Sequence, residues 1–183
     1  MGTRHLVCVY ANKRFQAAQY GQFDGYPSGV GVELLEFIRG LNSKSLATFK
    51  KKLKNIRLYS AEEFKELNLY DKEGYEQPSG SKVLEHIFNA KSEIHLINNA
   101  SFAGDSLFCE WAYVLNLDNN TFSVYQGFVE KESESAEIFL KYKQLPDHRS
   151  TQYYPVKLSA SYGLENLPEL EDFVERFNED DEE

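Results

Sequence analysis

His5-Leu6-Val7-Cys8-Val9-Tyr10-Ala11-Asn12-Lys13-Arg14-Phe15-Gln16-Ala17-Ala18-Gln19-Tyr20-Gly21-Gln22 decides how this chain folds. Two runs rich in Val, Tyr and Phe flank the polar pair Asn12-Lys13. β-Branched and aromatic residues suit a pleated, half-buried surface, and a two-residue polar turn is the commonest hairpin connection. The pattern therefore predicts strands over 5–10 and 15–22. In that register Ala11 faces Arg14, His5 faces Tyr20 and Thr3 faces Gln22. The start of the chain then lies beside the exit of the second strand.

A second hairpin reads over Cys109–Leu117 and Phe122–Val129, turning at Asn119-Asn120. Trp111, Tyr113, Leu115 and Leu117 alternate onto one face, with Phe122, Val124 and Phe128 opposite them. Between the hairpins the period changes to that of helices. Val32, Leu35 and Ile38 form a stripe beside Leu34 and Phe37, stopped at Gly40. A helix follows from Ser45 to about Ile56. Ser60-Ala61-Glu62-Glu63 is a capping box opening a short third helix. Tyr70 to Gly80 reads as an exposed loop. Ser81 opens another helix, and Ile94–Ile97 reads as a strand. Helices are predicted over Glu134–Lys143 and from Pro168 through Phe177. Tyr153–Tyr162 reads as a strand, and Pro155 makes it an edge strand or marks its start. Hairpins around a helical block predict an α+β fold: antiparallel hairpins forming a sheet flanked by helices, with no parallel βαβ arrangement.

The 183 residues are 42% hydrophobic and 14% aromatic, which is globular composition, and their number suits one domain. We read residues 1–177 as that domain and 178–183 as an acidic, disordered tail. The formal net charge of −9 argues against wholesale binding of a phosphate backbone, so no nucleic-acid partner is expected. Lys50, Lys51, Lys52, Lys54 and Arg57 break the acidic pattern, first as a solvated helix face and second as a docking patch for an acidic protein. Cys8 and Cys109 sit in apolar segments with no CxxC partner and no zinc spacing, so two buried free thiols in a reducing cytoplasm are expected. No signal peptide or membrane span is visible, no metal is expected, and no motif calls for a cofactor.

The segment Phe23–Gly31 is dense in loop-forming residues and leads straight into a helix. By the hairpin register it meets the chain start. Thr3, Arg4, Gln22, Asp24, Tyr26, Ser28 and Gly29 would then line one pocket. Glycines permit close backbone approach, a helix N-terminus favours an anion, and Arg4 could clamp a carboxylate or phosphate. These residues are the candidate ligand-binding set for a small anionic or nucleotide-like molecule; no catalytic residue is assigned. Asp105, Ser106 and Glu110 with His86 or His95 could be assembled into a catalytic group, but their spacing gives no reason to do so. Asp105-Ser106 reads better as a turn cap, and Ser101–Asp105 could border the same pocket as the N-terminal loop.

Met1-Gly2-Thr3-Arg4 with Ala18-Gln19-Tyr20-Gly21-Gln22-Phe23-Asp24-Gly25-Tyr26-Pro27-Ser28-Gly29 resembles a family of proteins from phages, bacteria and fungi. The stretch Asp105–Phe128 is similar to its fungal members. The resemblance implies a shared fold and brings no activity with it. More distantly, the start of the chain resembles N-terminal nucleophile hydrolases of the bile-salt-hydrolase type, which implies a layered sandwich. Those enzymes attack an amide with the residue freed by removal of Met, whose own amine takes the proton. Gly2 stands at that position here and has no nucleophile, and Thr3 would serve only if Gly2 were also removed. The leading expectation is thus a ligand-binding protein; a related hydrolase and a protein-interaction module are the alternatives.

Overall fold

Asn12 and Lys13 both take left-handed backbone angles, with φ of 55° and 59°. A turn of that hand matches the twist of the strands it joins, β1 (His5–Ala11) and β2 (Arg14–Gly21). Pairing starts as expected, with Ala11 opposite Arg14 and Tyr10 opposite Phe15. A bulge then inserts Gln16, whose side-chain amide donates to the Ala11 carbonyl at 2.8 Å. Beyond it the register is shifted by one. His5 faces Gly21 instead of Tyr20, and the Thr3 carbonyl accepts from the Gly25 N–H instead of meeting Gln22. The computed structural model describes residues 2–70, 77–143 and 153–178, so part of the expected 70–80 loop and the tail beyond Asn178 lie outside the described residues.

The second hairpin, β5 (Trp111–Asn116) and β6 (Thr121–Gln126), stands as predicted in its core. Phe128 does not belong to it. That ring is 54% exposed, beyond the end of β6, at a φ of 56°. The five-stranded sheet runs β2-β1-β5-β6-β7, with β7 (Lys157–Gly163) at its edge just after Pro155. The fold is α+β. The two hairpins are joined through a parallel pairing of β1 with β5, so the sheet is mixed, not wholly antiparallel. Parallel alignment brings both hairpin turns to one end. There the Asp118 carboxylate accepts from the Asn12 and Lys13 N–H groups, each at 2.8 Å.

Those two bonds, Lys13 first, hold the Asp118 pKa below its ordinary value. A carboxyl depressed by folding stabilises above its unfolded pKa of about 4 and loses that contribution as the pH falls further. Asp118→Ala is therefore expected to lower stability above about pH 4, to flatten its fall at more acid pH, and to speed amide exchange at Asn12 and Lys13. Unchanged exchange at both amides would show that the clasp does not form.

Helices cover one face of the sheet and irregular turns cover the other. On the first face Val7, Val9, Tyr113, Leu115, Phe122 and Val124 pack against four helices. These are α1 (Val32–Arg39), α2 (Ser43–Lys52), α4 (Val83–Asn89) and α5 (Leu170–Asn178). On the second face Leu6, Cys8, Ala112, Val114 and Tyr125 meet Ala103, Phe139 and Val156. These lie on and beside the 3-10 turns Ala100–Gly104 and Glu134–Tyr142, the latter standing where a full helix was expected. Both cysteines are buried and unbridged, and burial pushes both thiol pKa values up.

The helix expected to reach Ile56 stops at Lys52, capped at its start by Asn42 and not Ser45. Ile56–Tyr59 is a strand, β3, paired in parallel with β4 (Ile94–Ile97). Its neighbours outweigh the helical pattern before it. Ser60 then forms the predicted capping box with Glu63 and opens α3 (Ala61–Glu66).

Candidate functional site

The N-terminal loop expected to hold a ligand turns several of its amides onto its own backbone. Pro27–Gly31 forms one wide π-helical turn ahead of α1. The Gly29 and Gly31 N–H groups donate to Tyr26 O, and Val30 N–H donates to Asp24 O. Those amides are thus consumed by the turn and are not presented to an anion. A Cβ on Gly29 would sit 2.5 Å from Asp24 O, so this glycine serves a backbone-to-backbone contact. The buried Tyr113 hydroxyl donates to Gly25 O at 2.8 Å and ties the loop to the sheet, with its pKa raised by that burial.

The predicted residues scatter around this turn. Thr3 is buried, while Gln22, Asp24, Tyr26 and Ser28 are exposed. Arg4 turns the other way. Its Nε meets Glu110 Oε1 at 3.1 Å, its terminal nitrogen donates to Leu107 O, and its guanidinium lies 5.3 Å from the Phe108 ring centre. None of the five clefts described below is lined by any of the seven.

A cleft of about 500 Å³ opens elsewhere, outside the carboxyl ends of β3 and β4. Because those strands are parallel, both chains leave the small sheet at the same end. The first exit supplies Ser60, Ala61 and Glu62, and the second supplies Asn98 and Asn99. Tyr20, from the end of β2, and Phe102 meet edge to face at 5.0 Å in one wall; Phe108 and Asp105 contribute to the rest. Ser101–Asp105, expected to border the pocket of the N-terminal loop, contributes Ser101, Phe102 and Asp105 to this cleft together with Tyr20, and none of the seven predicted residues joins them. The sequence reading assigns Asn98, Asn99 and Glu62 to no site, because the cleft depends on the unrecognised strand β3.

Local hydrogen bonds orient the asparagines. Asn98 Oδ1 accepts from Ala100 N–H at 3.1 Å, and Asn99 Oδ1 accepts from Tyr20 N–H at 3.3 Å. Each carboxamide oxygen accepts one backbone bond, which orients the group and leaves both its NH2 and the oxygen's second lone pair for other partners. The other four clefts, near Phe128–Lys157, Pro78–Ala90, Ile38–Glu165 and Arg14–Leu58, have no such aromatic pair among their linings.

Asp105 and Ser106 act as the turn cap the sequence suggested. Asp105 Oδ1 accepts from Leu107 N–H, and the buried Ser106 Oγ accepts from Val129 N–H at 2.8 Å. His86 lies on α4 and His95 on β4, where His95 meets Tyr59 at 2.9 Å. Three of the five basic residues around α2 are engaged within the chain. Lys50 reaches Asn120, Lys52 caps Ala90 O at 2.8 Å, and Arg57 pairs with Glu93. Among the described residues no cluster of His, Cys, Asp and Glu is placed to hold a metal ion, and no helix is long and apolar enough to cross a membrane. The chain matches no protein-family model, no curated protein and no solved structure.

Proposed function

We propose that the protein binds a small molecule in the cleft at the carboxyl ends of β3 and β4. The parallel exit of these two strands carries the reading, because it builds a concavity and fills its rim with oriented polar groups. Small-molecule sites combine such a concavity with aromatic walls and a few placed donors and acceptors. The Tyr20–Phe102 pair supplies a wall, and Asn98 and Asn99 supply donors. The expectation of a bound small ligand is kept while its place moves. An anion at the N-terminal loop would have to displace Glu110 from Arg4; the cleft asks for no such rearrangement.

On this reading the block Ala18–Gly29, shared in pattern with the phage, bacterial and fungal family, builds the fold. A layered sandwich of the N-terminal nucleophile type remains a proposal for that fold, without the mechanism: Gly2 has no nucleophile and Thr3 is buried. Two buried thiols suit an intracellular site of action.

A fragment screen read by amide NMR tests the proposal. Binding fragments are expected to shift Tyr20, Asn98, Asn99 and Phe102, and Phe102→Ala is expected to weaken them about tenfold, which is about 1.4 kcal/mol. Shifts confined to Arg4 and residues 24–29 would return the site to the N-terminal loop and reject the cleft.

A further inference from the structure

The shape and hydrogen-bonding groups of the cleft narrow what it can hold, given the reading above that a small molecule sits there. Tyr20 and Phe102 both line it, with their ring planes 87° apart. Two rings so placed make a corner, and a flat molecule laid on the face of one meets the other side-on. Such stacking suits any planar π-system. The rim is more selective. Asn98 and Asn99 follow β4 directly, and one backbone N–H orients each carboxamide. The N–H that orients Asn99 belongs to Tyr20, so wall and rim are held in one register. A carboxamide carries a donor and an acceptor side by side. Its complement is a planar edge that does the same, which is how asparagine reads adenine. From the other strand exit come Ser60 and Glu62. Ser60 Oγ accepts from Glu63 N–H at 3.0 Å and keeps its own proton to donate, while the Glu62 carboxylate stays outside the capping box. A carboxylate and a hydroxyl together suit a ribose diol.

We infer that the cleft binds a nucleoside. The base stacks in the Tyr20–Phe102 corner and turns its hydrogen-bonding edge to Asn98 and Asn99, and the ribose hydroxyls meet Ser60 and Glu62. The carboxamides serve the base without giving up the bonds that orient them, because each keeps its NH2 and an oxygen lone pair. None of these six side chains is a cation, so they recognise the nucleoside and not its phosphate. Selection comes from the edge: a ring that stacks equally well but lacks the paired donor and acceptor gains the stacking alone.

Adenosine and uridine carry such an edge on a purine and on a pyrimidine, and both are titrated into the full chain and read by amide NMR. At least one is expected to shift Tyr20, Asn98, Asn99 and Phe102. Its edge-methylated form, 6-dimethylaminopurine riboside or 3-methyluridine, still stacks and is expected to bind at least about tenfold more weakly. The 2′-deoxy form is expected to lose about threefold or more, and the 5′-monophosphate to bind no more tightly than the nucleoside. Asn98→Asp and Asn99→Asp keep an oxygen for the orienting N–H and replace the NH2, and at least one should narrow the gap between the nucleoside and its methylated form. Glu62→Ala should narrow the gap to the deoxy form. Should a variant fail to fold, the analogue series on the unaltered chain decides. If the methylated forms bind at these residues as well as their parents, no edge is read: the nucleoside assignment falls and the cleft stands. A monophosphate that binds more tightly than the nucleoside would make the ligand a nucleotide and overturn the assignment. If neither nucleoside shifts these amides, the assignment falls, and the unbiased fragment screen decides separately whether the cleft binds anything.

Discussion

Phe173→Ala is expected to destabilise the protein by about 3–5 kcal/mol, the range for removing a fully buried phenyl ring. Phe173 has no exposed surface. Its ring lies 5.2 Å from Phe177, 6.0 Å from Tyr162 and 6.2 Å from Phe122, so it links α5 to β6 and β7. It also occupies the space over Gly31, where a Cβ would come within 2.9 Å of the ring. One side chain therefore holds the last helix, two strands and the π-helical turn together. Domains of this size have about 5–15 kcal/mol in total, so the loss is a large share. The check is urea unfolding, read as a lower midpoint at unchanged slope, beside Glu175→Ala on the exposed face of α5, which should stay within about 0.5 kcal/mol. Equal shifts for both would mean that α5 is not packed through Phe173.

Gly21→Ala is expected to cost about 2–3 kcal/mol through overpacking against a single side chain, His5. The His5 ring is 2% exposed, and neither of its nitrogens reaches a partner in hydrogen-bond geometry. Three glycines close around it. A Cβ would sit 2.2 Å from Nε2 at Gly21, 2.7 Å from Nε2 at Gly80 and 2.9 Å from Nδ1 at Gly25. Adding His5→Ala to Gly21→Ala should therefore restore part of the loss, a non-additivity of about 1 kcal/mol or more in a double-mutant cycle. Strict additivity would mean that the two residues do not touch.

The same enclosure makes stability acid-sensitive. Burial lowers the His5 pKa, opposed by the Thr3 backbone and by Glu33 and Asp24. The unfolded chain then takes the proton first. Stability is full above the unfolded value of about 6.5 and falls as the pH drops from there, by at most about 1.4 kcal/mol per pH unit for one proton. His5→Ala should flatten that stretch of the curve.

The hairpins were legible because alternation and turn chemistry are local. Val7 and Val9 against Leu6 and Cys8, and Tyr113 and Leu115 against Ala112 and Val114, sort onto faces by position alone. The bulge at Gln16 was not legible, since nothing in Phe15-Gln16-Ala17 distinguishes a paired residue from an inserted one. The parallel seam left a sign that went unused. Leu6–Val9 and Ala112–Leu115 are apolar at every position, as strands covered on both faces are. Ile56–Tyr59 became a strand only because Ile94–Ile97 lies beside it, a choice made by partners distant in sequence. That pairing creates the cleft, so the cleft was beyond a reading by local pattern. The Gly-rich loop shows a different limit of local reading. Its glycines and polar side chains resemble a ligand cradle in composition, while Asp24 O, Tyr26 O and the Tyr113 hydroxyl use that freedom to close the turn on itself.

The Asp118 clasp bears on the order in which the chain folds. It joins two turns that stand 106 positions apart. Each hairpin closes over a few residues, an event of microseconds, whereas zipping β1 to β5 must first bring distant parts of the chain together. Local ribbons form early and the seam between them forms late, which places this fold among the slower ones for its size. Until the seam closes, Leu6 to Val9 and Ala112 to Leu115 present unpaired apolar edges to any neighbour. The nascent chain is thus most prone to association with other chains before its two halves meet.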